Sequence, residues 1–104
     1  MNTSQLLAQL RDLLSERFGE RYKSIILYGS ESRGEADDES DIDLLVLLQG
    51  PVCLGTDLEE IISATYTVQK FLNRAFHFAI ADFNDFNAGE FALYRTVKKE
   101  GIAA

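Results

Sequence analysis

Two rhythms of apolar residues alternate along the chain. Leu6, Leu7, Leu10, Leu13, Leu14 and Phe18 recur at spacings of three and four, which predicts an amphipathic helix over residues 4–18 whose leucines pack on the sheet. Thr3 or Ser4 can cap its start and Gly19 its end. The unbroken apolar character of Ile25 to Tyr28 predicts a strand over 24–28, buried on both faces. A second apolar run, Leu44 to Leu48, predicts a strand over 42–48 that stops at the turn signal Gln49-Gly50-Pro51. Gly55 closes that loop. Thr56 and Glu59 then have capping-box spacing, and Leu58, Ile61, Ile62, Thr65, Val68 and Leu72 carry a helical period to about Asn73. Residues 76–83 read as a third strand, with Phe76, Phe78 and Ile80 on one face and His77, Ala79 and Ala81 on the other. Asn87 and Glu90 form a second cap signature, opening a last helix with Phe91, Tyr94 and Val97 that ends at Gly101. Strands separated by helices predict an α/β (α+β) domain, a small mixed sheet backed by helices.

A length of 104 residues fits one domain, 1–104, with a modest core and no separate substrate-binding domain. No repeat, low-complexity stretch or interdomain linker interrupts it. With 46% hydrophobic and 26% charged residues the balance is that of a globular chain, and no apolar run is long enough to span a membrane. The opening Met-Asn-Thr-Ser-Gln lacks a secretory pattern, and the lone Cys53, expected as an inert, partly buried thiol, has no partner for an internal disulfide. Both features suit the cytoplasm. The net charge of −7, from 17 acidic against 10 basic residues, changes the picture most. Displacing counterions from nucleic-acid phosphates needs a basic surface, so direct nucleic-acid binding is disfavoured and a basic partner protein fits better.

The candidate chemistry lies between the first two strands. Gly29 ends the first apolar run and has no side chain to keep a ligand away. Ser30 adds a hydroxyl donor, and residues 30–35 read as a short helix whose exposed N–H groups favour an anion such as phosphate. Residues 36–40 form an acidic connection, with Asp37, Asp38 and Glu39 facing water. Asp41 and Asp43 follow; on a strand they share a face, about 6–7 Å apart. Two carboxylates facing polyphosphate suit Mg²⁺, which is commonly held by one or two carboxylates together with substrate phosphates. Arg33 can either neutralise a triphosphate or pair with a neighbouring acid.

Gly29-Ser30, ten residues and then Asp41-x-Asp43 resembles the signature of the polymerase-beta-like nucleotidyltransferase superfamily. Gly29-Ser30-x-Ser32-Arg33-Gly34, followed by Ser40-Asp41-Ile42-Asp43-Leu44, is similar to its minimal branch, as is the ending Lys98-Lys99-Glu100-Gly101-Ile102. The resemblance implies that fold, with Asp41 and Asp43 as catalytic metal ligands and Gly29, Ser30 and Arg33 at the nucleotide. It further implies Mg²⁺ with ATP as substrate, AMP transfer to a hydroxyl, and a hetero-oligomer with a HEPN-domain RNase toxin whose tyrosine accepts the AMP. One alternative is an antitoxin of the same fold that inhibits by binding alone. Another is nucleotide transfer to a small molecule, though such enzymes usually carry extra substrate-binding structure. The chain departs from the family at one place: the strand after Asp-x-Asp usually bears a third acid, and here His77 stands there, with Asp82 the nearest carboxylate but on the opposite strand face.

Overall fold

The computed structural model describes residues 2–29, 41–89 and 92–103 of the chain, the side chain of Leu93 apart. The expected short helix over 30–35, the acidic connection over 36–40, Ser30, Arg33 and Glu90 lie outside the described residues. Helix α1 spans Thr3–Phe18, strand β1 Tyr22–Tyr28, β2 Ile42–Leu48, helix α2 Leu54–Leu72, β3 Phe76–Asp82, α3 Phe83–Ala88, α4 Ala92–Glu100 and β4 Ile102–Ala103. Among the described residues the strands form one mixed sheet in the order β3-β2-β1-β4. β1 is antiparallel to β2 and to β4, whereas β2 and β3 are parallel. A parallel pair needs a long crossover, and α2 supplies it.

The sheet is covered on both sides, which explains the unbroken apolar runs of β1 and β2. Ile25, Leu27, Ile42, Leu44, Val46 and Leu48 pack with Leu6, Leu7, Leu10 and Leu14 of α1 and Ile61 and Val68 of α2. Their alternates, Ile26, Leu45 and Leu47, meet Ala81, Phe86 of α3 and Val97 of α4. Each such fully buried aliphatic side chain contributes on the order of 1.5–3 kcal/mol. The faces expected for β3 are observed: Phe76, Phe78 and Ile80 lie with the first cluster, Ala79 and Ala81 with the second.

Several boundaries differ from expectation, each for a local reason. Asn2, ahead of Thr3 and Ser4, caps α1: its side chain accepts from the Gln5 N–H at 2.8 Å while the Gln5 side chain accepts from the Asn2 N–H at 2.9 Å. Gly19 does end that helix. The expected Thr56–Glu59 box does not start α2, which begins at Leu54 with Cys53 as its cap residue and Gly55 inside the helix. Instead Asp57 accepts from the Cys53 N–H at 2.9 Å and receives both terminal nitrogens of Arg21, at 3.0 and 2.9 Å. Cys53 is exposed, not partly buried.

Phe83 belongs to α3 and not to β3, because the Asp82 side chain accepts from the Asn84 N–H at 2.8 Å and turns the chain into a helix. Asn87 therefore lies inside α3, a helix the periodicity did not predict, and the expected last helix is α4. Gly101 ends α4 as expected, and β4 then pairs with Ile26 and Leu27. A Cβ on Gly101 would collide with the Ile26 side chain and the Val97 carbonyl, so only glycine lets the chain return to the sheet there. No helix among the described residues is long and apolar enough to cross a membrane.

Candidate active site

The register of three strands draws one row of side chains together. Tyr28 on β1 pairs with Asp43 on β2, which pairs with His77 on β3. By strand alternation all three share the face that carries Ile26, Leu45 and Ala81. Asp43 Oδ1 lies 3.1 Å from His77 Nδ1, and the two side chains are 30% and 69% exposed. An ionised carboxylate only accepts, so Nδ1 carries the proton of this bond. Burial, and after it the negative charge of Asp43, holds the Tyr28 hydroxyl above its ordinary pKa.

Gly29 follows directly, with φ of +73°, in the region glycine occupies without strain. A Cβ there would come within 2.5 Å of Asp43 Oδ2. The turn out of β1 and the second residue of β2 are thus in near contact, and a side chain at Gly29 would displace the carboxylate. Asp41 is exposed and stands one residue ahead of β2, so loop backbone and not the strand ladder directs it. Ser30 and Arg33, the other expected nucleotide contacts, lie outside the described residues.

Register separates His77 from Asp82. β2 and β3 run parallel from Ile42 opposite Phe76, which sets the second residue of each, Asp43 and His77, side by side. Asp82 pairs with Leu48 at the far end, five residues along each strand and therefore about 16 Å from the Asp43 row. There it caps α3 and lies against Gly50. His77, and not Asp82, occupies the row.

The cation that the motif implies is Mg²⁺. Among the described residues no group of three His, Cys, Asp or Glu side chains could hold a metal ion. Mg²⁺ does not require one, because it takes one or two carboxylates and completes its shell with water and substrate phosphates. Carboxylate oxygens from Asp43 and Asp41 fit that hard cation; an imidazole suits softer metals. An open hollow between α1 and α2, lined by Gln5, Ala8, Gln9 and Phe71, offers no titratable group.

The site thus sets a glycine turn against a strand-borne carboxylate on a mixed sheet. The chain belongs to the nucleotidyltransferase domain family, whose pattern matches residues 7–103. The "Putative protein adenylyltransferase" of Methanocaldococcus jannaschii is 38% identical over 47 residues, a stretch that makes up 45% of this chain and 47% of that protein. This chain thus matches about half the length of that relative. The solved structure described as "Crystal structure of the toxin-antitoxin with AMP-PNP" contains a similar chain: TM-score 0.67 and 20% identity, over 92% of this chain and 69% of that one. "Structure of putative minimal nucleotidyltransferase" matches with a TM-score of 0.58 and 24% identity, over 98% and 95% of the two chains. Both establish the likeness of fold.

The structure brings the expected Gly29 and Asp43 into near contact and adds to their row Tyr28, which the sequence reading did not single out, and the contact between Asp43 and His77. The signal was present: Tyr28 immediately precedes the glycine turn, and Asp43 and His77 are each the second residue of a predicted strand.

Proposed function

We propose that the protein binds Mg-ATP at the Gly29 turn and transfers AMP to a hydroxyl of a partner protein. The observation that carries this reading is the near contact of Gly29 with Asp43 Oδ2, which leaves a side-chain-free approach beside a carboxylate. Membership of the nucleotidyltransferase family supports it, as does the adenylyltransferase description of the M. jannaschii relative.

In the proposed reaction Gly29 and Ser30 seat the phosphates, with Arg33 opposite their charge. Asp43 and Asp41 would hold Mg²⁺, which when bound offsets the charge that develops on the attacking and leaving oxygens. The acceptor hydroxyl oxygen attacks the α-phosphorus, and its proton passes to solvent. The bond from the α-phosphorus to the oxygen bridging to the β-phosphorus breaks, and pyrophosphate leaves with that electron pair. AMP remains esterified to the acceptor.

The partner assigned by this reading is a HEPN-domain RNase toxin with a tyrosine acceptor, in a hetero-oligomer. The toxin–antitoxin likeness of fold and the family motif support it. The excess of acidic residues favours a basic protein surface over free nucleic acid. A second reading, inhibition by binding without catalysis, is favoured by one observation: His77 stands where the family's third acid is usual. The test is mass spectrometry of the toxin after incubation with the protein. Gain of one or more AMP masses at tyrosine only when ATP and Mg²⁺ are present supports transfer. A tight inhibitory complex with no mass gain and no ATP requirement contradicts it.

A further inference from the structure

The two oxygens of Asp43 have different surroundings. Oδ1 lies 3.1 Å from His77 Nδ1. Oδ2 is turned towards Gly29, close enough that a Cβ on that glycine would meet it at 2.5 Å. The last torsion of an aspartate is broad, so a carboxylate that is 30% exposed at a strand end does not select one orientation by itself. A directed N–H donor does select one. His77 has that donor at the right place because the parallel register sets it beside Asp43, and its own burial contributes little, since the side chain is 69% exposed.

We propose that His77 is a positioning residue: its Nδ1–H holds the Asp43 carboxylate so that Oδ2 is presented at the Gly29 turn. This rests on the reading of Asp43 as a ligand of the nucleotide-bound cation. In the strand position where the family usually has an acid, this chain uses an orienting N–H donor. The site therefore carries one negative charge fewer, and the cation depends more on the phosphates that accompany it.

The experiment is a titration of the full chain with Mn²⁺, a paramagnetic stand-in for Mg²⁺, in the presence of a non-hydrolysable ATP analogue, with free Mn²⁺ read by electron paramagnetic resonance. Loss of an orienting partner of a metal ligand typically weakens metal binding by about 10–100-fold, and His77→Ala is expected to fall in that range. His77→Asn keeps an N–H at the δ position and is expected to bind close to the natural chain. The melting temperatures of both variants should stay close to that of the natural chain, as for exposed substitutions generally, which separates positioning from a structural role. Unchanged affinity in His77→Ala, or an Asn variant as weak as the Ala variant, overturns the proposal. If Asp43→Asn binds as tightly as the natural chain, or the natural chain binds no Mn²⁺ with the analogue, the ligand reading itself falls and the proposal with it.

Discussion

Two aspartates paired with a nitrogen base stand at opposite ends of the sheet. At one end Asp57 is buried, its side chain only 6% exposed, and it receives two hydrogen bonds from Arg21 and one from the Cys53 N–H. Arg21 also donates to the Gln49 and Pro51 carbonyls, so the pair ties the loop after β2 to the chain entering β1. At the other end Asp43 shares one hydrogen bond with His77, and both side chains remain open to solvent. The first arrangement is saturated: every interaction is internal, and its return is a fixed loop. In the second, Oδ2 is turned towards the glycine turn and the carboxylate side chain stays 30% exposed. Burial of the carboxylate, more than the presence of an acid, separates the two ends among the described residues.

Breaking the open pair has the largest expected effect. Asp43→Asn keeps the shape but removes the charge, and AMP transfer to the partner is expected to fall by orders of magnitude with the melting temperature nearly unchanged. Labelled ATP and an assay of label on the partner read this directly. Breaking the saturated pair does the reverse. Arg21→Ala leaves the Asp57 carboxylate buried without its cation. The full penalty for such a break is about 3–5 kcal/mol, but Arg21 is 38% exposed and partly screened by water, so about 2–3 kcal/mol is expected from urea denaturation. Nucleotide affinity of the folded variant should be unaltered.

A smaller effect is expected at the turn. Gly29→Ala places a side chain in the left-handed region, at a cost of about 1–2 kcal/mol, and pushes on Asp43 Oδ2. Calorimetry should show weaker nucleotide binding in a protein that still folds. The smallest effect is a pH dependence. The Arg21 hydrogen bonds, then that from the Cys53 N–H, hold Asp57 below its ordinary value of 3.8 despite burial. A depressed carboxylate pKa means that the unfolded chain binds the proton more readily. The stabilisation is complete above 3.8 and is lost as pH falls from there through the lower folded value. Acid unfolding of the natural chain should therefore steepen in that window, and Asp57→Asn should remove that part of the slope.

The parts legible in the sequence were those set by local period. The six apolar positions from Leu6 to Phe18 located α1, and the runs around Leu27 and Val46 located two strands, because burial on a helix stripe or a two-sided sheet leaves that signature. The start of α2 was misread because Thr56 and Glu59 have the spacing of a local cap, whereas Asp57 is engaged by Arg21, 36 residues earlier in the chain. α3 has six residues and β4 two, both too short to establish a period. Within the candidate site, Gly29 and Asp43 were readable from spacing. Tyr28 joins them only through strand register, which the sequence expresses weakly; the resemblance had already set His77 on the neighbouring strand, and register brings it into contact with Asp43.

The central claim is that the Asp43 end serves nucleotide chemistry while the Arg21–Asp57 end serves the scaffold. It is tested most directly by isothermal titration of the magnesium complex of a non-hydrolysable ATP analogue into three proteins: the natural chain, Asp43→Asn and Arg21→Ala. The account predicts similar affinity for the natural chain and for folded Arg21→Ala, and severely weakened binding for Asp43→Asn. Equal affinity for Asp43→Asn and the natural chain, or lost binding in a folded Arg21→Ala, would contradict it.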